Sequence, residues 1–374
     1  MKYNSYRAPD GDASKNAEVS LVGFGGMRMP RNEDNSINEV EGEALVDRAY
    51  AAGINYYDTA YIYHNGKGEG FLSGCLKKYP RESYFLTDKL PMWLVEKEED
   101  VEMFFNEQLR RCNVEYFDFY LCHALTSARV DKIEKFGIIE KLEKYRKEGK
   151  IKRLGFSFHD TPEVLERILK LYKWDFGQIQ YNYLDYKMQN AKELESLLVE
   201  YNTPFLIMEP VRGGALVNVP EKAKEILSSL GNGSVPSYAM RFAMSAKNVF
   251  CVLSGMTTFE ALNDNISTAE SFVPVSDKER EALQRVADII VAARLLPCTA
   301  CRYCEGCPVG IDIPETLKIY NEYMSKENRK ALRESIEKLE NKPSACISCG
   351  ACSSACPQHL DIPSAMKKLA DLTK

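Results

Sequence analysis

Eight of the twelve cysteines in this 374-residue chain fall between Cys298 and Cys356, in two regular sets. Cys298, Cys301, Cys304 and Cys307 are spaced C-x2-C-x2-C-x2-C and run into Pro308. Cys346, Cys349, Cys352 and Cys356 are spaced C-x2-C-x2-C-x3-C and run into Pro357. The flanks repeat as well, CPVGIDIP from Cys307 and CPQHLDIP from Cys356, so the halves form an internal repeat offset by 48 or 49 residues. A dense, regular cluster of thiols in an intracellular chain points to metal ligation rather than disulfides. Three thiolates at x2 spacing wrap one face of a [4Fe–4S] cube, and a fourth, set apart on a rigid Cys-Pro step, reaches the other cube. Two structural zinc sites are the competing reading. Zinc needs only paired C-x2-C knuckles and leaves the third and fourth cysteines and the Cys-Pro steps unexplained.

This segment resembles the two-cluster ferredoxins, especially the helical kind, with about 38 residues between the motifs, including the helix-prone stretch Lys326–Leu339. The resemblance implies one cluster on Cys298, Cys301, Cys304 and Cys356 and a second on Cys346, Cys349, Cys352 and Cys307. The first motif departs from that family in having x2 before its last cysteine, and this bears on whether Cys307 completes the second cluster.

The elements that must carry such sites alternate along the first 275 residues. Apolar runs at Leu21–Gly25, Ile54–Asp58, Tyr84–Lys89, Phe117–Cys122, Ile151–Ser157, Gly177–Tyr181, Phe205–Met208 and Phe250–Leu253 predict strands. Amphipathic stretches at Asn38–Ala52, Lys97–Cys112, Lys132–Glu148, Thr161–Tyr172 and Gln189–Tyr201 predict helices between them. Continuous apolar strands separated by helices indicate a parallel sheet covered on both faces. Eight such units in about 250 residues fit a (β/α)8 TIM barrel. Gly23-Phe24-Gly25-Gly26 lacks the G-x-G-x-x-G spacing of a Rossmann turn. Ser276-Asp277-Lys278-Glu279 has the pattern of a capping box, and Leu283, Val286, Ile290 and Ala293 continue as a helical stripe. That helix docks the small domain or is the barrel's own last helix. The expected organisation is an α/β barrel over residues 1–280 and a small, mainly helical ferredoxin-like iron–sulfur domain over 281–374.

Within the barrel, four positions resemble the aldo-keto reductase family in order and context, over roughly residues 18–275. Asp58 ends the strand Asn55-Tyr56-Tyr57-Asp58, with Tyr63 five residues on; Lys89 ends the next strand and His123 the one after. These are strand C-termini, where TIM-barrel active sites are built. Hydride reduction of a carbonyl leaves an alkoxide to be protonated, and a tyrosine with an ordinary pKa near 10 is a poor donor. A lysine cation nearby stabilises the phenolate, and an aspartate holds the lysine. The resemblance thus implies Tyr63 as proton donor, Lys89 as its tuner, Asp58 as the lysine's partner and His123 as the group orienting the carbonyl. Alone, each has a bland reading: a solvated Lys or Asp, a packing tyrosine, a satisfied core histidine.

The resemblance also implies cofactor contacts. Ser157 and Gln178 match positions that hold a nicotinamide carboxamide, while the usual Asn after that serine is Phe158 here, followed by His159. Met208 stands where an aromatic normally stacks on the nicotinamide. Ser254, Gly255 and Met256, with Asn265, match the pyrophosphate and adenosine loop, without the Lys and Arg that grip a 2′-phosphate. Gly25 and Met27 would line the floor. NADP(H) and NAD(H) both stay open, with a flavin as an alternative occupant, and His159 reads equally as substrate contact or wall residue.

A net charge of −5 argues against a nucleic-acid binder. The polar start MKYNSYRAPDGDASKN has no signal-peptide core, and no apolar run approaches the roughly 20 residues that span a bilayer. The expectation is a cytoplasmic oxidoreductase acting on a small carbonyl, its clusters giving electron transfer, to a protein partner in one arrangement, or redox sensing. The alternative is a non-catalytic or flavin-linked module using the barrel as a cofactor shell.

Overall fold

In the computed structural model, residues 1–231, 233–293, 295–326 and 328–373 are described. The chain opens with an antiparallel hairpin, β1 (Tyr3–Tyr6) and β2 (Ala17–Ser20). Eight parallel strands follow: β3 (Val22–Gly25), β4 (Tyr56–Asp58), β5 (Phe85–Leu90), β6 (Phe119–Leu125), β7 (Leu154–Phe158), β8 (Phe176–Gln180), β9 (Phe205–Met208) and β10 (Val249–Ser254). They close as a barrel in chain order, β10 returning to β3. All eight expected strands are present, with ends shifted by a residue or three. Burial runs unbroken along β6, β7 and β8, as expected of strands with side chains facing both the barrel interior and the surrounding helices.

The hairpin is a departure from the sequence reading, which predicted no strand before Leu21. Tyr6 is fully buried, its ring 5.8 Å from Phe119 and 5.2 Å from Phe250 in edge-to-face contact. Phe119, Phe176 and Phe250 lie at the starts of their strands, so the hairpin packs at the N-terminal end of the barrel. Buried Asp175 fixes it there: Lys15 and Arg146 reach its carboxylate at 2.9 and 3.0 Å, and the Tyr6 hydroxyl donates to its backbone oxygen at 3.0 Å. The opposite, C-terminal end is left for chemistry.

A second departure is the expected helix Lys132–Glu148, which is two helices, Ser127–Lys135 and Ile138–Lys147. Gly137, at φ 56°, breaks the run where any other residue would be strained. Among the described residues no helix is long and apolar enough to cross a membrane.

The chain divides into two compact units, residues Met1–Pro210 with Ser237–Ser276, and Val211–Pro236 with Asp277–Lys374. In the second unit the helices Glu221–Ser228 and Asp277–Ala292 pack together. The helices Ile313–Lys326, Arg329–Glu337 and Ile362–Thr373 form a small bundle around Ile319, Tyr320, Leu332, Ile336 and Leu369. Glu327, inside the expected helical stretch Lys326–Leu339, lies outside the described residues. A neighbouring apolar cluster of Ile311, Ile313, Leu317, Leu360, Ile362, Ala365 and Met366 is lined by Cys298, Cys304, Cys307, Cys346, Cys352 and Cys356.

Candidate active site and cysteine clusters

Adjacent strands bring the first two candidate residues together. Asp58 closes β4 and Lys89 lies near the end of β5, which pairs with it. The Lys89 ammonium donates to Asp58 Oδ1 at 2.6 Å and to the Thr59 carbonyl at 2.7 Å. Both side chains are buried, at 1% and 5% exposure. Burial raises the Asp58 carboxyl above its ordinary value, and the Lys89 ammonium opposes that rise. Removing one partner of such a pair leaves an uncompensated buried charge, at about 3–5 kcal/mol.

Tyr63 sits on a tight turn beyond Asp58. Its N–H bonds the Ala60 carbonyl at 3.0 Å, and its own carbonyl accepts from Gly66 and Gly68. His64, Asn65 and Gly66 follow, all at positive φ, folding the loop back onto the helix Gly68–Leu76. Gly68 is required there, since a Cβ would stand 3.0 Å from the Tyr63 carbonyl oxygen. This turn leaves the Lys89 ammonium 5.1 Å from the Tyr63 ring centroid.

His123 comes from β6, where pairing with β7 slips between Cys122 and Leu125 and Ala124 takes φ 54°. The bulge aims the imidazole at Tyr63, rings 6.3 Å apart at 82°. Desolvation, then the charges of Lys89, His159 and Arg129, hold His123 well below the ordinary imidazole value, so it is neutral. All four tetrad residues therefore stand together at one end of the barrel.

The expected cofactor residues rim the same end. Ser157 Oγ accepts the Ala124 N–H at 2.7 Å, which pins the β6 bulge and leaves the hydroxyl proton uncommitted in that bond. Gln178 is opposite Ser157 in register, and its buried Oε1 has no hydrogen-bond partner among the described residues. An amide donor is what such an oxygen requires, and a carboxamide supplies one. Asn265 donates to Ser254 Oγ at 2.9 Å beneath the loop that follows β10. A Cβ on Gly25 would stand 3.2 Å from the Ser254 carbonyl, so the ends of β3 and β10 approach closely. Met256 is buried; Gly25, Met27, Met208 and Gly255 are half-buried.

Three features were not anticipated from sequence. Trp93 lies 5.0 Å from the His123 ring at 60°. Arg28 packs over Gly255, where an added Cβ would meet its Cδ at 2.6 Å, and pairs with Glu209 at 3.0 Å. Asn182 donates to Asp185 Oδ2 at 2.6 Å and to the Glu209 carbonyl at 3.0 Å, holding Glu209 at φ 57°. A rare tryptophan just beyond a strand end was the available signal for the first; the others carry no motif.

In the second unit all eight clustered cysteines are free thiols. Burial, and then the charges of Cys301, Cys298 and Cys356, push the Cys304 thiol up to about 12. Cys352 likewise feels Cys346 and Cys349. The Ala300 N–H points at Cys298 Sγ at 3.4 Å. Among the described residues no three His, Cys, Asp or Glu side chains gather as the ligands of a metal ion. Six of these cysteines pack against one apolar bed, and one backbone N–H is aimed at a sulfur; thiols in such surroundings suit iron–sulfur ligation.

Two family models match the chain in succession. Residues 21–288 match the model of the aldo/keto reductase family, and residues 297–360 match that of a 4Fe-4S dicluster domain. A probable aldo-keto reductase of Glycine max is 28% identical over 174 residues, which are 44% of this chain and 49% of that protein, so the match spans about half its length. The holo form of an aldo-keto reductase from Bacillus halodurans superposes with a TM-score of 0.63 at 24% identity, covering 76% of this chain and 96% of that one. An aldo-keto reductase from Klebsiella pneumoniae in complex with NADPH gives 0.62 at 19% identity, covering 77% and 96%. At these identities the two structures speak to the fold.

Proposed function

Since the chain belongs to the aldo/keto reductase family and carries a 4Fe-4S dicluster domain, we propose that its barrel reduces small carbonyl compounds with NADP(H) or NAD(H), while its cysteine unit holds two [4Fe–4S] clusters. When bound, the nicotinamide supplies a hydride and the clusters take up single electrons for transfer or sensing. Neutral His123 donates a hydrogen bond to the substrate oxygen and orients the carbonyl. As the carbonyl carbon gains the hydride, the oxygen takes the phenolic proton of Tyr63. Lys89 stabilises the phenolate left behind, and Asp58 keeps Lys89 in place. The observation that carries this reading is the buried Lys89 ammonium, held 2.6 Å from Asp58 and 5.1 Å from the Tyr63 ring, beside a neutral His123.

Ser157 and Gln178 would hold the carboxamide and Met208 the nicotinamide face, with Gly25 and Met27 below. Ser254, Gly255, Met256 and Asn265 would take the pyrophosphate and adenosine end. Arg28, seated over Gly255, brings that loop the guanidinium its own sequence lacks. The first cluster would be held by Cys298, Cys301, Cys304 and Cys356, the second by Cys346, Cys349, Cys352 and Cys307. Met208 in place of an aromatic favours a second reading, in which a flavin fills the barrel and a protein partner receives electrons from the clusters.

Tyr63→Phe tests the first reading. Aldehyde reduction should fall by about two to four orders of magnitude, the usual range for losing a positioned proton donor, with iron content unchanged. Retained turnover would remove the tetrad from the mechanism.

A further inference from the structure

The loop after β9 begins in the sequence of the barrel but folds with the cysteine unit, whose compact region includes Val211–Pro236. Arg212 is among the largest fully buried side chains, at 1% exposure. Its Nη2 donates to Gln358 Oε1 at 3.0 Å. Gln358 is itself nearly buried and is the second residue after Cys356. Gly213, next along, has φ 62°, and a Cβ there would fall 2.0 Å from the Thr299 carbonyl oxygen. Thr299 is buried and directly follows Cys298. Two consecutive residues therefore bear on both separated arms of one proposed ligand set: Gly213 closely approaches the backbone of the Cys298 loop, and the Arg212 guanidinium hydrogen-bonds the Cys356 loop.

The local backbone is bent to make these contacts. Arg212, Gly213 and Gly214 take φ 50°, 62° and 93°, three left-handed residues in a row. Such a run persists only where the surroundings hold it, and at Arg212 a non-glycine residue carries the strain. A four-thiolate iron–sulfur site carries net negative charge that grows on reduction, and a nearby fixed cation favours the reduced state.

We propose that Arg212 and Gly213 form a clasp on the two cysteine loops of the first cluster, and that the Arg212 guanidinium raises that cluster's reduction potential. The inference rests on the ligand sets under Proposed function and adds a positioning and tuning role for a loop outside both cysteine motifs. The clasp is covalently continuous with β9: Arg212 lies three residues beyond Glu209, the partner of Arg28. Adjacent glycines after an arginine, Arg212-Gly213-Gly214, are the only mark it leaves in the sequence.

The test is an anaerobic potentiometric titration with dithionite on full-length, iron-loaded protein, followed by EPR. Wild type should show two one-electron steps. Arg212→Gln should lower one of them by at least tenfold in its equilibrium constant, 59 mV for one electron, and leave the other in place. Arg212→Lys, which keeps the charge, should hold both steps near wild type. Gly213→Ala, which drives a methyl into the Thr299 carbonyl, should change the reduced-cluster EPR line shape. Unmoved steps in fully loaded Arg212→Gln would overturn the proposal, as would an equal drop in Arg212→Lys, which would assign the effect to packing. Should Arg212→Gln fail to load iron, Gln358→Leu takes its place, and an unmoved step there counts against the clasp. Wild-type protein without iron or acid-labile sulfide would instead defeat the cluster assignment itself.

Discussion

The two units hold their functional side chains in opposite ways. In the barrel, Asp58, Lys89 and His123 lie on strands whose burial is nearly complete, and their geometry follows from strand register, one bulge and one ion pair. In the cysteine unit the candidate ligands lie on loops, apart from Cys352 in the one-turn helix Ala351–Ser354; most are half-buried, with Cys349 exposed, over a small apolar bed. A core of that size supplies only a few kcal/mol by itself. The barrel is preorganised by its own packing; on the proposed reading, the cysteine unit would need its clusters as part of its core.

Removing iron is the harshest way to break that contrast, because cluster binding free energy is then folding free energy. Chelation under reducing conditions should abolish the cysteine unit's thermal transition and leave the barrel's in place, as read by calorimetry. A single transition surviving intact would make the clusters ornaments on a self-sufficient fold. Lys89→Met should act in reverse, destabilising the barrel by about 3–5 kcal/mol through the stranded Asp58 charge, with iron content unchanged. A loss below 1 kcal/mol in denaturant titration would mean Asp58 is already neutral.

Ser157→Ala asks how much the β6 bulge depends on one hydroxyl. Stranding the buried Ala124 N–H should lower barrel stability by about 1–3 kcal/mol and kcat along with it as His123 loses its aim. An effect on KM for the nicotinamide alone would make Ser157 a cofactor contact and nothing more. The smallest effect is the pH dependence of His123. Its folded value is depressed, so below about pH 6.5 the unfolded chain binds a proton that the barrel does not. Its contribution is complete above that pH and is lost as pH falls, by up to about 1.4 kcal/mol per unit. His123→Gln should flatten the slope of barrel stability between pH 6.5 and 5; an unchanged slope would place the titration elsewhere.

Legibility in the sequence followed the same divide. The eight barrel strands could be read because each is apolar on both faces; the four tetrad candidates came from their resemblance in order and context to one family, at strand ends or just beyond. The hairpin β1–β2 escaped notice because Tyr-Asn-Ser-Tyr and Ala-Glu-Val-Ser are short and half polar, and only tertiary contact with Phe119 and Phe250 makes Tyr6 a core residue. Gly137 splits a helix whose charged and apolar residues otherwise run on in phase. The cysteine motifs were plain from spacing alone. The grouping of Val211–Pro236 with the cysteine unit was not, since no periodicity tells a loop which core it joins. The assignment of Cys356 to the first motif's cluster is of an intermediate kind, implied by likeness to ferredoxins and not by spacing.

The chemistry proposed for the barrel is direct hydride transfer from nicotinamide to a carbonyl held by Tyr63 and His123. The measurement that tests it most directly follows deuterium from nicotinamide labelled on both C4 positions into the alcohol formed from a simple aldehyde, by mass spectrometry under anaerobic conditions. Direct transfer leaves one deuterium on the carbinol carbon of every product molecule. Product that forms with its deuterium lost to water would contradict it and would place a flavin or the clusters between nicotinamide and substrate.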